Sequence, residues 1–284
     1  MKNKILFVFT LLLLFSACER VVIIDLNDAA PALVIEGRIL KDSLAIVKVH
    51  QTSSYFQPDT QRCICGATVV IRENTAESDT LEQIAPGLYQ STIIRGREDH
   101  EYFLTVIFQD EIYEASSYLS AQPQIFSFTQ RSFASFGDFS DSSAFDFGGG
   151  GGLLDSLPWF LFTNIYDDPA TSDYYMFEYY VNGERRTGRY NVSTDSNAKD
   201  DTLMYSPGPS ALFFTGDTVK VRVYAIDNGI YNYFDMLNDA LSSNSFFSST
   251  PYNPVSNISN GAMGYFAAMS FDHDTTVIIP IPEF

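Results

Sequence analysis

Three cysteines offer the most reactive side chains of this sequence. A basic start, an apolar stretch at residues 5–15 and two small residues precede the first of them, Cys18. This order predicts a lipoprotein signal peptide, with removal of residues 1–17 and acylation of the Cys18 thiol to a diacylglyceryl, palmitate-bearing cysteine. At about 0.8 kcal/mol for each buried methylene, several acyl chains would hold the mature protein on a membrane. The alternative is an ordinary signal peptide cut nearby, which would leave Cys18 as a free thiol.

The other two cysteines, Cys63 and Cys65, are separated by one residue. In a flat strand their Cα atoms would be about 6.6 Å apart, which is near the upper limit for a disulfide. An oxidising envelope favours such a bridge across a bend, whereas two thiolates also suit copper or zinc. Because no further Cys or His lies nearby in the sequence, we expect a strained local disulfide or two free thiols, and no metal centre.

The other residues that could carry chemistry lie in sequence contexts that do not support a catalytic or binding site. His273 lies between two aspartates, a pattern typical of an exposed hairpin turn. Asp167-Asp168 and Asp200-Asp201 are interpreted as turn residues, because no EF-hand spacing accompanies them. Five glycines at 148–152 follow no strand and precede no Lys-Ser/Thr pair, so they predict no phosphate loop. The sequence therefore predicts no catalytic residue and no cofactor.

The charge of the chain limits its partners. The formal net charge is −18, with 35 acidic residues against 17 basic ones. Such an acidic surface repels nucleic acid and anionic lipid headgroups. Contact with a membrane is therefore expected through the lipid at Cys18 and not through a basic patch.

Short apolar runs separated by turn residues predict a mainly β protein. After the signal peptide, residues 18–31 form a lipidated tether. Residues 32–120, with seven or so strands at hairpin spacing, predict an immunoglobulin-like β-sandwich similar to regulatory modules. Residues 121–284 predict a second, β-sandwich-like domain. Within it lie a Phe/Gly-rich loop at 132–155 and one short crossover helix near 230–242.

The helix and the strand after it form the most regular part of the second domain. Ile230, Phe234, Leu237 and Leu241 fall at helical spacing and predict one apolar face. A last apolar strand is predicted from Met263 to Phe271.

The Phe/Gly-rich loop allows two interpretations. The first is a mobile surface loop. The second is an aromatic-tipped binding loop that docks on a partner. Its candidate binding residues are Phe133, Phe136, Phe139, Phe145 and Phe147.

The helix and its return to the last strand carry a family resemblance. The residues that match are Asp227, Tyr231, Tyr233, Phe234, Asn253, Pro254, Ser256, Asn257, Ile258, Gly261, Gly264, Tyr265 and Phe266. Together with the start after Cys18, this set resembles the family called domain of unknown function 4249, outer-membrane lipoproteins of Bacteroidetes. The resemblance brings no catalytic residues. It implies an outer-membrane location close to TonB-dependent transporters, on either the surface or the periplasmic face.

The leading functional hypothesis is a non-enzymatic binding or accessory lipoprotein beside a TonB-dependent outer-membrane transporter, with an unidentified ligand. The alternative is a structural or adhesive cell-surface protein, and the third is a glycan-active enzyme. A flat exposed aromatic patch would favour binding, whereas a pocket with converging carboxylates would favour an enzyme.

Overall fold

A computed structural model describes residues 31–53, 62–75, 77–133, 158–186, 188–208, 211–242 and 252–279. Within these ranges the protein is mainly β, with one α-helix. The strands are β1 (Leu33–Leu40), β2 (Leu44–Gln51), β3 (Arg62–Cys63), β4 (Thr68–Glu73), β5 (Ser78–Thr80), β6 (Glu82–Ala85), β7 (Leu88–Arg95), β8 (His100–Phe108), β9 (Glu111–Leu119), β10 (Ile125–Ser132), β11 (Trp159–Tyr166), β12 (Tyr174–Val181), β13 (Glu184–Arg185), β14 (Asn191–Thr194), β15 (Thr202–Tyr205), β16 (Thr218–Ile226) and β17 (Met263–Val277), and the helix is α1 (Asn228–Ser242).

The largest sheet of this part of the chain has ten strands. Its order is β13-β12-β16-β17-β1-β2-β7-β6, with β14 added beside β12 and β3 beside β2. Strand β17 makes the connection because it is 15 residues long. Residues 263–269 pair in parallel with β1, and residues 270–277 pair antiparallel with β16.

Two smaller sheets pack against one face of the large sheet. The sheet β5-β4-β8-β9 encloses the first core, which includes Ile35, Val47 and Leu104. The sheet β10-β11-β15 encloses the second core, which includes Leu161 and Phe177. The predicted mainly β architecture with sandwich-like packing and one short helix is therefore confirmed.

The C-terminal segment contributes to both cores. Ile258, Phe266 and Ala268 are buried in the first core, although they lie far from residues 32–120 in the sequence. Ile278 is buried in the second core. The division of the chain at residue 120 stays a prediction, and the two predicted units share strand β17.

Helix α1 lies on the opposite face of the large sheet. Ile230 and Phe234 are buried there beside Ala267 and Met269 of β17. The predicted helix is confirmed, but its predicted apolar face is one turn too long. Leu241 is 54% exposed, because the apolar cluster under the helix ends at Leu237.

Two tight hairpins agree with their sequences. Gln109 and Asp110 connect β8 to β9, and Asn182 and Gly183 connect β12 to β13. All four residues have positive φ values between 52° and 87°, as the hairpin turns with a right-handed strand twist require. After the second turn the structure has two short strands, β13 and β14, and not one continuous return strand.

The hairpin turn predicted at residues 272–274 is also wrong. These residues continue β17, with His273 opposite Arg222 of β16. The Asp272 carboxylate accepts a hydrogen bond from the Ile125 backbone N–H at 2.9 Å. Pairing with β16 therefore prevails over the turn preference of aspartate. In the part of the chain that the structure describes, no helix has the length and apolar character needed to cross a membrane.

Candidate functional site

The outer face of the three-stranded sheet carries a row of large apolar side chains. Alternate residues of β11, from Trp159 to Ile165, are buried in the second core. The residues between them must therefore point to the opposite side. We call this side the aromatic face, and it consists of Phe133, Phe160, Phe162, Tyr166 and Met204. Phe133, Tyr166 and Met204 are between 40% and 50% exposed.

Polar groups on the aromatic face bond to one another. The Asn164 amide donates to Ser127 Oγ and Thr129 Oγ1, both at 3.0 Å. The Arg131 guanidinium lies over the Phe162 ring, 5.2 Å from its centroid. These contacts satisfy polar groups of the face and leave aromatic rings at its surface. Such a surface suits contact with another protein.

The predicted Phe-rich loop begins and ends at one end of this face. The Phe133 backbone N–H donates to the Pro158 carbonyl at 2.9 Å, and the Phe133 ring stacks on Phe160 at 5.9 Å between centroids. Phe133 thus belongs to the aromatic face. The other candidate residues of the loop lie outside the described residues; they are Phe136, Phe139, Phe145 and Phe147.

Three carboxylates converge beside β12. Asp167 follows β11, Asp173 precedes β12, and Asp195 opens a short 3₁₀ turn after β14. One oxygen of each lies within 4.8 Å of the others. The Asp195 carboxylate accepts from the Asp173 backbone N–H at 2.7 Å, and the Tyr175 hydroxyl donates to Asp167 at 3.3 Å.

The pKa of Asp167 is shifted by this arrangement. Burial raises the pKa of Asp167, the Asp195 carboxylate raises it further, and the hydrogen bond from Tyr175 opposes the rise. Burial also raises the pKa of Tyr175, with a further rise from Asp173. A proton or a hard cation would relieve the repulsion among the carboxylates. Three oxygen donors are fewer than the roughly six to eight that calcium prefers.

A cleft of about 410 Å³ adjoins both the carboxylates and the aromatic face. Tyr166 of the aromatic face lines it, as do Asp168, Asp173 and Tyr175. Tyr118 lines the other side, and its hydroxyl donates to Asp99 at 3.2 Å. All of its charged lining residues are aspartates. The cleft therefore suits a hydroxylated or cationic ligand.

The predicted cysteine sites differ in how the structure describes them. In the structure Cys63 and Cys65 are not bridged, and both are exposed; the expected choice between a strained disulfide and two free thiols stays a prediction. Cys18 lies outside the described residues, so lipidation there stays a prediction.

Two parts of these sites have no signal in the sequence. No motif marks Asp173 or Asp195, and the context of Asp167 is typical of a turn residue. Asp168 does form a turn, since its carbonyl accepts from the Thr171 N–H at 3.0 Å. The strand Trp159–Tyr166 is apolar at nearly every position. Without the partner strands, the sequence does not show which side of this strand faces outward.

Comparison with known families assigns most of this chain to one family. A family model described as domain of unknown function (DUF4249) matches residues 19–275. The chain therefore belongs to this family. No curated protein matches the sequence.

The residues that carry the family resemblance hold β17 in place. The Asn257 side chain accepts from the Phe266 N–H at 3.0 Å and donates to the Phe266 carbonyl at 2.8 Å. Ser256 Oγ donates to the Gly264 carbonyl at 2.8 Å. These bonds satisfy the edge of β17 that faces away from β1, so this part of the motif has a structural role.

Proposed function

We propose that this protein is a lipid-anchored, non-enzymatic binding component of the outer membrane that works beside a TonB-dependent transporter. The observation that carries the proposal is the aromatic face. It combines exposed Tyr166 and Met204 with the stacked pair of Phe133 and Phe160. Aromatic residues and Met are enriched in protein–protein interfaces. The expected occupant is a folded protein surface with apolar pockets.

The location of the Phe-rich loop supports the same interface. The loop connects β10 to β11, and both of these strands form the aromatic face. Phenylalanines from the loop would extend that face as anchor residues. The acidic surface of the chain would contribute partner selection and association rate more than affinity.

The lipid at Cys18 would raise the effective concentration of this interface. An anchored chain moves in the plane of the membrane, so a weak contact with a membrane partner becomes productive. The tether from Glu19 to Pro31 reaches at most about 45 Å, at roughly 3.5 Å for each residue. The folded part must therefore stay close to the bilayer and to any transporter beside it.

A glycan-active enzyme is a weaker candidate. The carboxylates of Asp167 and Asp173 are close together, and the pKa of Asp167 is raised, as a general acid would need. Asp167 is only 3% exposed, however, and it does not line the cleft. A substrate in the cleft would not reach it. The cleft fits the binding of a hydroxylated ligand better than its hydrolysis.

Removal of the loop tests the proposal. A variant that lacks residues 134–152 keeps the Phe133–Phe160 stack and both strands. We expect it to remain folded and to recover a transporter from gently crosslinked membranes in a yield several-fold below that of wild type. If the deletion variant recovers the transporter in the same yield as wild type, the loop is not part of the interface. If wild type itself recovers no transporter, a structural or adhesive surface role replaces the proposal.

A further inference from the structure

The register of two strands brings a histidine next to the cysteine pair. His50 of β2 lies directly opposite Cys63 of β3 in an antiparallel pair. Residues in such positions point to the same face, with Cβ atoms about 4.5–5.5 Å apart. The sequence separates these two residues by a dozen others, so their proximity is produced only by the fold.

The residue between the cysteines fixes which way their side chains point. Ile64 is buried in the first core, and its carbonyl accepts from the Tyr89 hydroxyl at 3.1 Å. Because neighbouring side chains alternate along a strand, Cys63 of β3 points away from that core, and Cys65 follows two residues later. Both are exposed. Gly87 leaves room here, since a Cβ at that position would lie 3.0 Å from the Cys63 Cβ.

One ring nitrogen of His50 has no hydrogen-bond partner among the described residues. His50 is 5% exposed, and its Nδ1 is buried with no hydrogen-bond partner among the residues that the structure describes. Leaving a buried polar atom without a partner costs about 1–3 kcal/mol. Burial lowers the pKa of His50; the Glu36 carboxylate opposes this shift, whereas Lys48 adds to it. A neutral imidazole nitrogen is a common metal ligand.

We propose that His50, Cys63 and Cys65 bind one thiophilic metal ion, Zn(II) or Cu(I). Two thiolates and one imidazole are the donors that these ions prefer, and they leave one position for water or another ligand on zinc. The metal replaces the two thiol protons, which pass to solvent. A bound ion would also satisfy the buried Nδ1 atom.

Binding requires rotation of the side chains. Among the described residues, only the Asp167 group has three donor atoms that already lie within 4.8 Å of one another. Exposed cysteine side chains rotate at little cost, and the strand register already fixes the backbone of His50 and Cys63. The site is separate from the aromatic face, so its test is independent of the proposed binding function.

Metal titration of the reduced, full chain tests the proposal. Purified protein in reductant is titrated with Zn(II) against a chelator, and Co(II) serves as the spectroscopic probe. We expect one ion for each chain, thiolate-to-cobalt charge-transfer absorption and a higher melting temperature. A variant with Cys63→Ser and Cys65→Ser should bind no ion. His50→Gln should weaken binding by at least about tenfold, whereas the matched control His273→Gln should bind as wild type does.

Two results would overturn the assignment. One is wild-type binding that is no stronger than that of the double serine variant. The other is equal affinity of the His50→Gln and His273→Gln variants. If the His50→Gln variant does not fold, X-ray absorption of the wild-type zinc complex serves as the test of the imidazole ligand. A shell of two sulfurs with imidazole scattering supports the site, and the absence of imidazole scattering contradicts it.

Discussion

Asp227 joins the start of helix α1 to strand β9 through its two carboxylate oxygens. Oδ1 accepts from the Ile230 backbone N–H at 2.9 Å, which is the bond of a helix N-cap. Oδ2 accepts from the Ser117 hydroxyl, whose oxygen in turn accepts from the Ala268 N–H at 2.8 Å. Two side chains thus connect the helix, the four-stranded sheet and β17. This connection accounts for Asp227 in the family resemblance.

Replacement of Asp227 by Ala should destabilise the fold by about 2–4 kcal/mol. The estimate combines a lost N-cap, about 1 kcal/mol, with a lost charge-assisted hydrogen bond, about 1.5–3 kcal/mol. Urea denaturation measures the change, and Asp235→Ala on the same helix is the control. Equal stability of the two variants would show that the connection contributes nothing.

Gly264→Ala should destabilise the pairing of β17 with β1. Gly264 has a φ of 96°, and an added Cβ would lie 2.1 Å from the Ile35 carbonyl oxygen. Gly261 has a φ of 72° but open space around its Cα. We expect a loss of about 1 kcal/mol for Gly261→Ala and about 3 kcal/mol or more for Gly264→Ala. Similar losses in thermal denaturation would mean that backbone conformation, not the clash, requires glycine.

Local patterns predicted the elements in which one side is buried. The alternation of apolar and polar residues around Val219 and Val221 indicates β16, and the helical spacing of Ile230 and Phe234 indicates α1. Strand β10 was not predicted, because Ile125–Ser132 mixes apolar and polar residues without alternation. The structure explains this, since β10 is an edge strand with an irregularity after Ile125.

The candidate sites could not be predicted because they depend on residues brought together from distant segments. Asp167 and Asp195 meet only after β11 and β14 take their places around β12. His50 meets Cys63 only through the register of β2 and β3. No spacing in the sequence encodes either contact.

The raised pKa of Asp167 predicts a specific pH dependence of stability. A fold that raises the pKa of a carboxyl favours its protonated form. The contribution to stability is complete below the ordinary pKa of 3.8 and is lost as the pH rises through the folded-state pKa. Asp167→Asn should therefore be more stable than wild type at neutral pH, and the difference should shrink in acid. Asp110→Asn, in an exposed hairpin turn, is the control, and a pH-independent difference for Asp167→Asn would contradict this account.

Membrane anchoring depends on Cys18 in the proposed function. Cys18→Ala should move the protein from the membrane fraction to the soluble fraction, or leave the precursor uncut. Fractionation with metabolic labelling by a fatty-acid analogue measures both outcomes. Cys63→Ser is the matched control and should remain labelled and membrane-bound. Unchanged labelling of Cys18→Ala would show that the lipid is attached elsewhere.

Recovery of a transporter by variants of the aromatic face tests whether that face is the interface. The paired change Tyr166→Ser and Met204→Ser removes exposed apolar groups from that face, and Val255→Ser with Ile279→Ser removes apolar groups that are even more exposed but do not belong to it. After gentle crosslinking in native membranes, we expect wild type and the control pair to copurify with a TonB-dependent transporter. The face variant should recover the transporter in a yield at least about tenfold lower, because each interface anchor contributes about 2 kcal/mol. Recovery by the face variant at the wild-type yield would contradict the proposed interface.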